Sequence, residues 1–275
     1  MKNLKYYFKE AEKEKLAIGQ FNFSNLKILK GIIQAAVKLK SPIILGTSEG
    51  ESKAIGLSQA VALVKIYREE TGLPIFLNLD HGKSFDYIKK AIDAGYDAVH
   101  FDGSSLSFKK NVGITKRVVK YAKKFGTLVE GEMGVIGNVS GIKEVLTDPL
   151  DALKFIKETK VDSLAVAIGN LHGIRTSKIN PNLNLKRLKE IKKKTGIIPL
   201  VLHGGSGTPK SDIKKAIKLG IVKININTEI RIAYTNTLKK VFKKKPKEII
   251  PYKYMPEVVE AIQKVVEEKI KLFRQ

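Results

Sequence analysis

The chain has four histidines, and three of them follow apolar runs: His81 in "LNLDHG", His172 in "AIGNLHG" and His203 in "LHGGSGTP". Each run reads as a buried strand that stops on a group able to do chemistry. Nothing local links the three, so a fold must gather them. Three imidazoles with an open fourth position are the ligand set of a catalytic zinc ion. The fourth, His100 in "AVHFDG", falls inside its apolar run and reads as a packed core residue. Asp80 directly precedes His81. It is a carboxylate beside a candidate ligand, not required as one, and so available to move a proton.

A second kind of chemistry is written in "HGGSGTP" (203–209). Its glycines and Ser206 lie between a strand and a helix start, where backbone N–H groups can approach a phosphate closely. Asn225, Asn227 and Thr228, at the end of the last apolar run, would close that seat. A metal, a phosphate seat and a free carboxylate suggest carbonyl chemistry on a phosphorylated ketose. There zinc on the hydroxyl and carbonyl oxygens would stabilise an enediolate.

These residues need elements to position them, and the periodicity supplies eight. Apolar runs at 18–23, 42–48, 74–80, 98–103, 127–133, 163–169, 199–204 and 221–228 read as strands buried on both faces. Amphipathic segments lie between them. Ser24 is placed to cap the first, with Leu26, Leu29, Ile33 and Val37 on its inner face, Ser84 opens another, and Thr208–Pro209 a third. Gly72, Gly95, Gly126, Gly196 and Gly220 stand where helices should stop. Eight strand–helix units without a linker predict one domain over 1–275, a (β/α)₈ TIM barrel with an extra C-terminal helix from "PEVVEAIQKVVEEKIKLF". A doubly wound open sheet is the alternative, but the first turn, "FNFSN", lacks its glycine fingerprint. The predicted strand ends carry, in order, Asn22, Ser48, Asp80–His81, Asp102, Glu132, His172, His203 and Asn225. In such barrels that end is where substrates bind.

Composition narrows the class. A net charge of +24 invites a nucleic-acid reading, but the lysines are spread over nearly every helical segment and no nucleic-acid-binding signature is present. The expectation is no specific nucleic-acid partner and a field that draws in anionic substrates. With no cysteine there is neither a disulfide framework nor a thiolate metal site. No apolar run approaches membrane-spanning length and the first residues lack a signal-peptide pattern, so a cytoplasmic protein without membrane contact is expected.

Taken in order, "AIGQFNFSN", "LNLDHG", "FDGS", "VEGEMG", "AIGNLHG", "LHGGSGTP" and "KININTEI" resemble the class II, metal-dependent fructose-bisphosphate and tagatose-bisphosphate aldolases over most of the chain. The resemblance implies Asp80 as the proton donor and acceptor at the C4 hydroxyl, and His81, His172 and His203 as zinc ligands. It implies Asp102 and Glu132 at positions that hold a second metal ion, a monovalent cation or an alternative metal location. Gly173, Gly204, Gly205, Ser206, Asn225 and Thr228 match positions that hold dihydroxyacetone phosphate. It also implies a phosphorylated sugar substrate and a homodimer or homotetramer. Two departures stand out. Asn78 occupies a position where the family usually has histidine, and the 135–145 segment is short, leaving Glu144 as its candidate acid. A related aldolase or isomerase acting on another sugar phosphate is the alternative activity. A Schiff-base aldolase would need a lysine at the mouth, and Lys223 sits at the wrong end of its strand.

Overall fold

Valine-, isoleucine- and leucine-rich runs close on themselves in a computed structural model that describes residues 2–175 and 180–274. The strands are β1 (Ile18–Asn22), β2 (Ile43–Ser48), β3 (Ile75–Gly82), β4 (Ala98–Phe101), β5 (Leu128–Met133), β6 (Gly137–Asn138), β7 (Ser163–Val166), β8 (Leu171–His172), β9 (Leu200–Leu202) and β10 (Ile221–Ile226). Eight form a closed barrel in the order β1-β10-β9-β7-β5-β4-β3-β2, parallel at every pairing. The two-residue strands β6 and β8 pair with each other outside it. The helices are α1 (Leu4–Glu14), α2 (Leu26–Leu39), α3 (Glu49–Ile55), α4 (Leu57–Thr71), α5 (Phe85–Ala94), α6 (Phe108–Ala122), α7 (Pro149–Thr159), α8 (Leu185–Thr195), α9 (Lys210–Lys218), α10 (Thr228–Lys244) and α11 (Pro251–Phe273).

The predicted barrel is therefore present, and its details correct several sequence-based readings. Asn25, not Ser24, caps α2: its side chain accepts from the N–H groups of Lys27 and Ile28, both at 2.9 Å. The inner face of α2 is Ile28, Leu29, Ile32, Ile33 and Ala36, while Leu26 and Val37 are exposed. Thr228 is not a strand residue but the first residue of α10. The C-terminal helix starts at Pro251, with Pro256 inside it. Gly126 lies beyond α6, which ends at Ala122. Among the described helices, none is long and apolar enough to cross a membrane.

Helix α1 had no counterpart among the expected units. Leu4, Phe8 and Ala11 recur at helical spacing and are its buried residues. They pack on Ile18, Ile44, Phe76, Ala98 and Val222, at or near the starts of five strands, and so plug the barrel end opposite the strand tips. Phe8→Ala should open a cavity there and destabilise the protein by about 3–5 kcal/mol. A denaturant titration followed by far-UV circular dichroism would read this as a lower midpoint at unchanged slope.

Candidate active site

The strand end that carries Asp80 and His81 is irregular for a physical reason. Pairing between β3 and β4 shifts register between Leu79 and Gly82, a bulge that re-aims the residues within it. His81 lies in the bulge with φ +53°, a left-handed conformation uncommon for a side-chain-bearing residue. Its N–H donates to His100 Nδ1 at 3.1 Å, which ties the bulge to the neighbouring strand. His100 is buried, as expected, and this bond gives it a specific role. With Nδ1 accepting, its single proton lies on Nε2, 3.2 Å from Glu132 Oε2 but outside good hydrogen-bond alignment.

His81 Nδ1 donates to Asp102 Oδ2 at 3.0 Å, leaving Nε2 as its free ligand atom. His203 Nε2 donates to Glu130 Oε1 at 2.6 Å, leaving Nδ1. The two remaining nitrogens face each other at 3.0 Å. Two lone pairs aimed at one point need a proton or a cation there, and carboxylate-oriented imidazoles are what a metal site requires. Ligand atoms of Asp80, His81, His100 and His203 lie within 4.8 Å of one another. The ring of His172 packs edge-on to His81 with centroids 4.8 Å apart and lies 6.3 Å from that of His203, so it flanks this group. Glu132 is buried, with Oε2 lacking any hydrogen-bond partner and 3.9 Å from His203 Nδ1. Imidazole nitrogens with an orphaned buried carboxylate oxygen suit zinc and other borderline divalent ions.

The charges agree with this geometry. Burial opposes ionisation of Asp80, yet the neighbouring His81, His203 and Lys223 hold its carboxyl well below the usual range. Burial lowers His81, but the Asp80 charge, the bond to Asp102 and the Glu132 charge raise it to about 9. Burial and the charges of His81 and His203 depress His172 to about 4. His203 is also depressed, chiefly by burial.

Asp80 is aimed by two amides. Asn22 Nδ2 donates to its Oδ2 at 2.9 Å, and Asn225 Nδ2 to its Oδ1 at 3.0 Å. Asn22 is itself fixed from below: Asn78 donates to Gln20 Oε1 at 2.9 Å, and Gln20 donates to Asn22 Oδ1 at 3.1 Å. The unexpected Asn78 thus begins a buried amide relay that ends on Asp80. Asn22 also donates to Glu51 Oε2 at 2.9 Å. Glu51 collects the Ser48 N–H, Asn227 and Arg231 as well, joining β1, β2 and α10 at the mouth. Ser48 is thereby half of a capping box rather than a free substrate group.

The glycine loop is tightly built. Gly204 has φ +62°, and a Cβ there would meet Leu171 O at 2.1 Å; one on Gly205 would meet Ile224 at 2.5 Å. The N–H groups of Gly205 and Gly207 are spent internally, on Asn225 O and Glu229. Asn180 staples this loop to the His172 loop by donating to Gly173 O and Ser206 O, both at 2.9 Å. Ser206 is buried, while Gly173, Asn227 and Thr228 are half-buried around it. Pairing of β6 with β8 sets Asn138 opposite His172, and Asn138 Oδ1 folds the turn by accepting from the N–H groups of Ser140 and Ile142. Glu144 in that segment is exposed.

Sequence reasoning missed Glu130, Glu51, Gln20, Asn170 and Asn180. Glu130 could have been read, because it alternates with Glu132 and so shares its inward face. Asn170, which donates to His203 O at 3.0 Å, carries no local signal.

Residues 2–275 match the family described as fructose-bisphosphate aldolase class-II. A probable fructose-bisphosphate aldolase of Bacillus subtilis is 42% identical over 270 residues, 96% of this chain and 94% of its own. A 6-phospho-5-dehydro-2-deoxy-D-gluconate aldolase of Bacillus velezensis is 39% identical over 278 residues, 98% of this chain and 94% of its own. Among solved structures, the YdjI aldolase of Escherichia coli K12 superposes with a TM-score of 0.86 at 34% identity, covering 98% of this chain and 96% of that one.

Metal-free protein should carry a proton on His81 at neutral pH, because its pKa lies near 9. A divalent ion held by His81 would have to displace it, so affinity for the ion should rise as pH climbs toward 9, with about one proton released per ion. Calorimetric titration in buffers of different ionisation enthalpy measures this; affinity independent of pH would contradict it. Asn22→Ala should lower kcat by about 10–100-fold without changing the content of bound metal, as expected for loss of a side chain that orients Asp80.

Proposed function

The chain belongs to the class II fructose-bisphosphate aldolase family, and we propose that it reversibly cleaves a ketose 1,6-bisphosphate, foremost fructose 1,6-bisphosphate, to dihydroxyacetone phosphate and glyceraldehyde 3-phosphate with zinc as its metal. The observation that carries this reading is the convergence of His81 Nε2 and His203 Nδ1 at 3.0 Å beside the doubly anchored Asp80. His81, His172 and His203 would hold the ion, and Glu132 offers it a buried oxygen. A divalent ion there supplies Lewis-acid polarisation of carbonyl and hydroxyl oxygens.

The protein's own residues do the rest. Asp80 accepts the C4 hydroxyl proton as the C3–C4 bond breaks, the bonding electrons staying with C3 of the dihydroxyacetone half, which must take up a proton before that product leaves; on condensation Asp80 returns its proton to the C4 oxygen. Asn22 and Asn225 keep its carboxylate aimed and ionised for that transfer. Gly173, Gly204, Ser206, Asn225, Asn227 and Thr228 would seat the phosphate of the dihydroxyacetone half, with Gly205 lining the seat while its N–H stays on Asn225 O. Asp102 fixes the His81 tautomer.

Self-association as a homodimer or homotetramer is supported by the α10–α11 surface. Only Ile230 and Val241 of α10 are buried, while Ile232, Phe242, Ile249 and Tyr252 are exposed. Tagatose 1,6-bisphosphate and singly phosphorylated ketoses are the alternative substrates, kept open by the departures at Asn78 and in the 135–145 segment.

Cleavage of fructose 1,6-bisphosphate with coupled detection of triose phosphate tests the reading. EDTA should abolish activity and zinc restore it. Asp80→Ala should cost about 10²–10⁴-fold in kcat, and His203→Ala should remove activity together with bound zinc. Turnover that survives complete metal removal would refute the mechanism. Faster turnover of tagatose 1,6-bisphosphate or a monophosphate in the same assay would reassign the substrate.

A further inference from the structure

Two groups of side chains at the mouth converge closely enough to hold a cation: Asp80 with His81, His100 and His203, and His81 with Asp102 and Glu132. They share His81, which has one lone pair to give while its Nδ1–H is bonded to Asp102. Asp102 is fully subscribed. Its Oδ2 accepts from His81 and from Lys83 Nζ at 2.5 Å, and its Oδ1 accepts from the Ser104 N–H at 3.2 Å and the Ser104 hydroxyl at 2.6 Å. Lys83 leaves the β3 bulge immediately after Gly82. Its side chain is 62% exposed, whereas that of Asp102 is 7% exposed, so the ammonium caps the carboxylate from the solvent side.

The ion pairs point the same way. Four carboxylates line the space: Asp80, Asp102, Glu130 and Glu132. Lys223 is spent on Glu130 at 2.6 Å, Lys83 on Asp102 and Arg231 on Glu51. Among the described residues, Asp80 and Glu132 have no lysine or arginine partner, so one divalent ion matches the two carboxylates left; a second would bring further positive charge into a buried space, and buried charge is costly unless paired.

We propose that Lys83 is a built-in cation that fills the Asp102 position, so that this chain binds one divalent ion and leaves no room for a second. The inference rests on the metal-dependent reading of the inner group. Lys83 then shields Asp102 and keeps it on His81 as an orienting group rather than a ligand.

The test is zinc stoichiometry. Metal-free wild-type protein and the Lys83→Ser, Lys83→Met and Lys83→Arg variants are titrated with zinc by calorimetry, then freed of excess and assayed by elemental analysis. Expected are about one zinc per chain in wild type and Lys83→Arg, and an additional, weaker binding event in Lys83→Ser and Lys83→Met. Two zinc ions per wild-type chain, or neutral variants that titrate like wild type, would overturn the proposal. Absence of bound zinc in wild type would overturn the metal-dependent reading, and this inference with it.

Discussion

Glu130 is the carboxylate on which the active site depends. It lies in the barrel interior and bonds Lys223 Nζ through one oxygen and His203 Nε2 through the other, each at 2.6 Å. Neither partner has water to fall back on: losing Lys223 would leave the buried charge of Glu130 uncompensated, a defect of about 3–5 kcal/mol, and losing His203 would leave one buried carboxylate oxygen without its donor. That arrangement converts barrel closure into chemistry. Closing the barrel brings Glu130 of β5, Lys223 of β10 and His203 at the end of β9 together in its interior, which sets the tautomer of His203, and the tautomer decides which nitrogen faces the mouth. Lys223, on β10, is spent as the counter-ion of this system. It is buried deep in the barrel, away from the strand tips where a nucleophilic lysine would have to stand.

The eight barrel strands and their polar tips were legible because both signals are local. Continuous apolar runs mark strands covered on both sides, and a strand tip is adjacent in sequence to the strand it ends. What positions the tips is not local. Asn22 and Asn225 reach Asp80 across 58 and 145 residues, and Glu51 meets Arg231 across 180. No periodicity encodes such contacts. The same holds for β6 and β8, each too short to show an alternation, although their pairing places His172 against the 135–145 segment. Helix α1 is a different failure. Its apolar spacing was visible, but it precedes the first strand and so belongs to no strand–helix unit.

The polar interior also explains why Asn78 can stand where a histidine is usual. The barrel centre holds Gln20, Asn78 and Asn22 as a hydrogen-bonded run rather than a layer of branched apolar side chains. An amide both donates and accepts without titrating, so it passes orientation upward without adding a charge to a space already holding four carboxylates. Orientation of Asp80 is thus separated from the electrostatics of the carboxylates and histidines around it.

The left-handed backbone at His81 has a consequence for how this position can change. A φ of +53° is costly for β-branched and bulky residues and is met most readily by glycine, asparagine, aspartate and histidine. The bulge therefore screens any replacement before coordination chemistry is consulted. Of the residues that pass the screen, glycine brings no donor atom, and aspartate would set a further negative charge against Asp80 and Asp102. Asparagine brings only a weak carbonyl donor. Histidine alone meets the backbone, the charge and the need for a nitrogen donor together, which ties the identity of the proposed ligand to the shape of the strand beneath it.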